Sequence, residues 1–162
     1  MRATSAWEIR AVSTSESFNT RARAGCMLSG MTEIEMTLGW VIAYVDDPAA
    51  AAAFYERTFG LRTDFVVPGE YGQMDTGPTK LGFATYALAR GNFDGGVRLA
   101  GNDGPPPNVE IALVAEDVDA AYRIAVDAGC EPLAAPVDKP QGQRVGWVRD
   151  PFGTLVELAT PL

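Results

Sequence analysis

The chain contains no histidine. Imidazole is the commonest general base near neutral pH and the commonest protein ligand for a divalent metal. Ser-His-Asp triads, Cys-His pairs and His-ligated zinc are therefore excluded within one chain. Cysteine is scarce too. Cys26 and Cys130 are the two present; their spacing fits no metal or redox motif, and they are too few for a disulfide framework. That usage is expected of a reducing cytoplasm. No apolar run approaches the roughly 20 residues that a bilayer-spanning helix needs, so no membrane partner is expected. Basic residues are the minority, 13 Lys and Arg against 21 Asp and Glu, for a net charge of −8. Such a surface repels phosphate backbones and carries no offsetting basic stripe, which argues against nucleic acid.

What is present is ordinary for a globular protein: 162 residues, 47% hydrophobic and 21% charged. That is enough for one domain, or for two small halves sharing a core. Residues 1–35 show no sustained period of 2 or 3.6 and are rich in Ser, Thr, Ala and Arg. They read as a disordered or non-native leader, with Met31 or Met36 opening the domain itself. Arg2, Arg10, Arg21 and Arg23 suggest a transit peptide, which Glu8 and Glu16 oppose.

From Trp40 the text becomes regular, and it repeats. "WVIAYVDDPAAAAAFYERTFGLRTDFVV" is a short apolar strand, a helix and another strand. Asp47 suits the N-cap, Pro48 the first helical turn and Gly60 the C-terminal stop. "EIALVAEDVDAAYRIAVDAGCEPLAAPV" follows the same order, with Asp117 near the cap and Gly129 as stop. Three strand candidates follow each helix: 61–67, 71–75 and 80–88, then 131–137, 144–148 and 154–159. Each half is thus βαβββ, the first over 36–100 and the second over 109–162. A Gly- and Pro-rich linker at 101–108 joins them.

Paired βαβββ units, the helix end "AFYERTFGL" and the terminal "DPFGTLVEL" resemble the vicinal oxygen chelate superfamily of glyoxalase I, extradiol dioxygenases and bleomycin- and fosfomycin-resistance proteins. The resemblance covers about residues 38–162. It implies an α+β fold in which two βαβββ repeats form a curled mixed sheet, a half-barrel around a cavity, with helices on the outer face. It also implies a homodimer, with sites near the subunit or repeat interface. Metal-using members carry four ligands, one on the first and one on the last strand of each repeat, typically His, Glu or Gln. The matching positions here are Trp40, Phe83, Glu110 and Glu157. Indole and phenyl rings offer no lone pair to a hard cation, and two carboxylates alone hold Zn²⁺, Ni²⁺ or Fe²⁺ poorly. No metal and no cofactor are expected, the residual alternative being a weak Mg²⁺ or Ca²⁺ site on Glu110, Glu157 and water.

Alternation along strands then lines the cavity with Trp40, Ile42, Tyr44, Phe83, Thr85, Glu110, Leu155 and Glu157. Leu81, Ala112, Val114 and Ala159 share those faces. An aromatic and aliphatic lining with two carboxylates suits a small hydrophobic or cationic aromatic molecule. The first expectation is accordingly a metal-independent binding protein similar to the bleomycin-resistance branch, sequestering an antibiotic. The alternative is a lyase or isomerase using Glu157 or Glu110 as base, since two carboxylates in one apolar cavity raise each other's pKa. The third is a half-barrel filled by Trp40, Tyr44 and Phe83 themselves. Glu157 has a structural reading as well, an ion pair with Arg144 or Arg149, and Asp150 reads as a turn cap.

Overall fold

The computed structural model describes residues 35–99 and 104–162. The expected leader therefore lies almost wholly outside the described residues, as do positions 101–103 of the expected linker. Residues 39–162 form one compact unit. Its elements are β1 (Trp40–Val45), α1 (Pro48–Phe59), β2 (Arg62–Val67), β3 (Tyr71–Asp75), β4 (Lys80–Thr85) and α2 (Tyr86–Asn92). The second repeat comprises β5 (Glu110–Val114), α3 (Val118–Asp127), β6 (Glu131–Asp138), β7 (Arg144–Arg149) and β8 (Leu155–Ala159). The strands make two open four-stranded sheets, ordered β1-β4-β3-β2 and β5-β8-β7-β6. In each, the first strand runs parallel to the last and the other pairings are antiparallel.

The helices start where their caps dictate. Asp47 accepts from the Ala49 and Ala50 amides at 3.0 Å, Pro48 opens α1, and Gly60 closes it at φ 67°. Asp117 accepts from Ala120 at the head of α3. An N-cap of this kind contributes about 1 kcal/mol. Each helix lies close against its sheet because a glycine on the third strand admits it. A Cβ on Gly72 would meet the Pro48 carbonyl oxygen at 2.9 Å, and one on Gly146 would meet Tyr122 of α3 at 3.2 Å.

One strand differs from expectation. The span 80–88 ends as a strand at Thr85, whose hydroxyl accepts from the Leu88 amide and starts α2. Threonine at an N-cap outcompetes continuation of the apolar run.

The core lies between the helices and the sheets. Phe54, Tyr55, Met74, Phe83, Val118, Val148 and Leu158 are almost wholly buried in it. The two repeats meet there through α1 and the β7–β8 turn. Tyr55 donates to Asp150 Oδ2 at 2.8 Å, and the Phe54 and Phe152 rings stand edge to face at 5.7 Å. Asp150 is a turn cap, its Oδ1 accepting from Phe152 and Thr154 amides, and through Tyr55 it is also a tie between repeats.

Candidate functional site

Strand pairing decides which side chains share the face of each sheet that points away from its helix. In the first sheet Trp40 pairs with Lys80, Ile42 with Gly82 and Tyr44 with Ala84. Gln73 pairs with Gly82 and Tyr71 with Ala84. Trp40 and Ile42 are exposed there, at 57% and 43%. The expected lining residues Trp40, Ile42 and Tyr44 therefore do share an open face.

Phe83 does not join them. It is fully buried on the helix side, 4.8 Å from the Tyr55 ring, and Leu81 is buried beside it in the same core. Thr85 is committed to the α2 cap. The phase of β4 is one residue away from the expected one, so the last-strand position of this repeat is Gly82. The notion that Trp40 and Phe83 jointly fill the half-barrel fails for the same reason, since the two lie on opposite faces.

A polar chain ties the open face of the first sheet together. Trp40 Nε1 donates to Gln73 Oε1 at 2.9 Å, Tyr71 donates to the same oxygen at 3.3 Å, and Gln73 Nε2 donates to Asp64 at 2.8 Å. Gln73 is buried, and both ends of its amide are satisfied. Tyr71 covers Gly82 so closely that a Cβ there would collide with the phenol oxygen. Beyond it Asp75 is bridged by both Arg62 and Lys80.

The second sheet carries the charge. Glu110 pairs with Leu155, Ala112 with Glu157, and Trp147 with Glu157. Glu110, Leu155 and Glu157 thus occupy one open face, and Trp147 joins it. Trp147 Nε1 donates to Glu110 Oε2 at 3.1 Å. The Lys139 ammonium stands 4.7 Å from the centre of the Trp147 ring. Burial, then a hydrogen bond and a like charge from Glu110, hold the Glu157 carboxyl above its ordinary range, while Lys139 pulls it down.

Neither arginine pairs with Glu157. Arg144 Nε donates to Asp119 at 2.6 Å and its Nη1 to Asp138 at 3.0 Å. Arg149 lies 3.5 Å from Glu131 and donates to the Gly104 carbonyl. Sequence reasoning missed Gln73, Tyr71, Lys139 and Trp147. Trp147 was within reach of it, since an antiparallel neighbour shares the face of its partner.

The glyoxalase/bleomycin resistance protein/dioxygenase superfamily profile matches residues 37–158. The chain belongs to that superfamily. It is 32% identical over 123 residues to the uncharacterized protein Mb0911c of Mycobacterium bovis, covering 73% of this chain and 79% of that one. It is 28% identical over 131 residues to the anthracycline biosynthesis protein DauV of Streptomyces sp. strain C5, covering 79% of this chain and 44% of DauV. Among solved structures, a glyoxalase-related enzyme from Fulvimarina pelagi superposes with a TM-score of 0.66 at 21% identity, over 78% of this chain and 89% of that one.

Membership raises the question of a metal, and the side chains do not fit one. The four superfamily positions hold Trp40, Gly82, Glu110 and Glu157. Glu110 already accepts from Trp147, and Glu157 is the other carboxylate on that face. Among the described residues no cluster of three or more His, Cys, Asp or Glu side chains could hold an ion. Two neighbouring carboxylates without a third donor make a weak trap for any divalent cation.

Proposed function

We propose that this protein binds a small planar organic molecule carrying a cationic group, without a metal. The observation that carries the reading is the Glu110–Glu157 pair framed by Trp147, over whose ring a lysine ammonium already stands. A ring face and an adjacent anion together favour an organic cation. Trp40, Ile42 and Tyr44 on the other open face offer an aromatic and aliphatic surface to the rest of such a molecule. A relative named for anthracycline biosynthesis supports an antibiotic-like ligand and hence sequestration. Both open faces are exposed in one chain, and a second copy closing one over the other gives a homodimer. No described helix is long and apolar enough to cross a membrane, and the scarcity of cysteine supports a cytoplasmic setting.

The test combines native mass spectrometry with elemental analysis, then fluorescence titration with 9-aminoacridine and neutral acridone. A metal-free dimer should bind the cation more tightly, and Glu110→Gln/Glu157→Gln should erase that preference. One divalent ion per chain, or a preference unchanged in the double variant, overturns the reading.

The raised Glu157 carboxyl favours a second reading, a metal-free lyase or isomerase with Glu157 as proton acceptor. Turnover of a glutathione–methylglyoxal adduct that survives chelator and is lost in Glu157→Gln would establish it. Turnover retained in that variant would dismiss it.

A further inference from the structure

The β6–β7 turn carries a cation onto the open face of the second sheet. Lys139 follows β6 directly, and the backbone of the turn is closed around it. Its amide donates to the Gln143 carbonyl at 2.7 Å, and its own carbonyl accepts from the Gly142 amide at 2.9 Å. Gly142 supplies the left-handed residue that this turn needs, at φ 92°, and Pro140 fixes the backbone beside Lys139. The main chain is therefore set, and the side chain alone is free to move. It is half-buried, with its ammonium 4.7 Å from the centre of the Trp147 ring.

Other basic side chains on the strands are clasped by carboxylates. Arg62 and Lys80 bridge Asp75, Arg144 bridges Asp119 and Asp138, and Arg149 lies against Glu131. Lys139 has no such clasp. Among the described residues it makes no ion pair and no side-chain hydrogen bond, and its ammonium rests on the ring face. Its charge nevertheless reaches the carboxylates. Burial and Glu110 raise the Glu157 carboxyl, and Lys139 opposes them. The ammonium thus stands where an aromatic face and an adjacent anion draw a cation, held by a contact worth two- to fivefold in an equilibrium, about 0.5–1 kcal/mol.

We propose that Lys139 is a specificity-determining stand-in for the ligand's cation: it covers the Trp147 ring until a ligand takes its place, and then swings into water. The inference rests on the cation-binding reading above and adds a rule of selection to it. A ligand must displace an ammonium that its own chain tethers at the site. A free alkylammonium exchanges like for like and loses translational freedom besides. A flat ring that stacks on the indole over more area than a lysine stem gains by the exchange. Lys139 therefore favours ring systems over simple alkylamines, and it lowers the affinity of any ligand that uses the ring face, charged or neutral.

Lys80 and Lys139 are the two lysines of the chain, so carbon-13 labelling of lysine in the full chain gives two ε-methylene signals, assigned with Lys139→Ala. Nuclear Overhauser contacts should join the Lys139 signal to the Trp147 indole protons and vanish at saturating 9-aminoacridine. Lys139→Ala should bind neutral acridone two- to fivefold more tightly than the parent protein does, and 9-aminoacridine by at least as much. Lys139→Arg, which keeps a cation on the ring, should gain with neither. A gain confined to 9-aminoacridine would mean that Lys139 acts through charge alone, and it overturns the proposal. Contacts absent without dye, or persisting with it, overturn it as well. So does weaker binding in Lys139→Ala, which would make the lysine part of the ligand's cradle. If the parent protein prefers the cation and Lys139→Ala binds both dyes as the parent does, this inference fails alone. If neither protein binds either dye, the cation-binding reading fails and this inference with it.

Discussion

Trp147 on β7 reaches diagonally across β8 to donate to Glu110 on β5, and Trp40 on β1 reaches across β4 in the same way to Gln73 on β3. The two repeats thus carry one bond with donor and acceptor strands exchanged. The residue beneath the bond is Glu157 in the second repeat and Gly82 in the first, each paired with the first and third strands of its sheet. The chemistry is therefore concentrated on one sheet, and the other supplies an apolar, hydrogen-bonded surface.

Glu110 is among the causes that raise the Glu157 carboxyl, so removing its charge should undo part of that shift. Glu110→Gln is expected to lower the Glu157 pKa toward the ordinary range without reaching it, because burial, the larger cause, remains. A carboxyl-detected carbon NMR titration reads this directly. An unchanged Glu157 titration would mean that the two groups do not communicate.

Tyr55 and Asp150 are both buried, lie 95 residues apart in sequence and join the two repeats. Tyr55→Phe leaves a buried carboxylate oxygen without its donor and should cost about 1–3 kcal/mol. Urea unfolding of the single and double variants with Asp150→Asn would isolate the pairwise part. Additive losses would show that the bond is incidental.

Burial raises the Asp150 carboxyl above its ordinary value, against the opposing pull of the Thr154 amide, Tyr55 and Phe152. A carboxyl with a raised folded-state pKa binds its proton more readily folded than unfolded. Its stabilising contribution is complete below the unfolded value of about 3.9 and is lost as pH rises through the folded one. Asp150→Asn removes this loss. Relative to the parent protein, the variant should therefore gain stability between pH 4 and pH 8, as read from urea midpoints. A constant gap across that range would contradict the shift.

Both repeats were legible in the sequence because each helix announces its own ends: Asp47 and Pro48 before α1, Gly60 after it, Asp117 before α3. Periodicity then placed Trp40, Ile42, Tyr44, Glu110, Leu155 and Glu157 on open faces. It failed at β4, where an unbroken apolar stretch gives alternation no polar mark to fix its phase, so an aromatic side chain looked more like lining than a glycine did. The pairing of Ile42 with Gly82, a tertiary fact, settles that phase. Residues 86–88 were read as continuing the strand because the partner of the Thr85 hydroxyl, the Leu88 amide, exists only once the chain has turned. Lys139 escaped because a loop lysine becomes meaningful only beside the Trp147 ring.

The two strand glycines of the first sheet offer a last contrast, since each admits a different neighbour. On Gly72 a new methyl meets the backbone carbonyl of Pro48, which cannot yield without moving α1. Gly72→Ala should therefore destabilise by about 1–3 kcal/mol, the range for overpacking a tight contact. On Gly82 the methyl meets the phenol end of Tyr71, which can swing away. Gly82→Ala should cost less, and its signature should be chemical. Burial holds the Tyr71 hydroxyl above its usual pKa, so pushing the ring into water should bring that pKa down. Ultraviolet difference titration of the phenol follows the effect, with Tyr71→Phe identifying the signal. A Tyr71 pKa unmoved in Gly82→Ala, or a greater loss of stability there than in Gly72→Ala, would show that Tyr71 is fixed and that α1 is the part that gives.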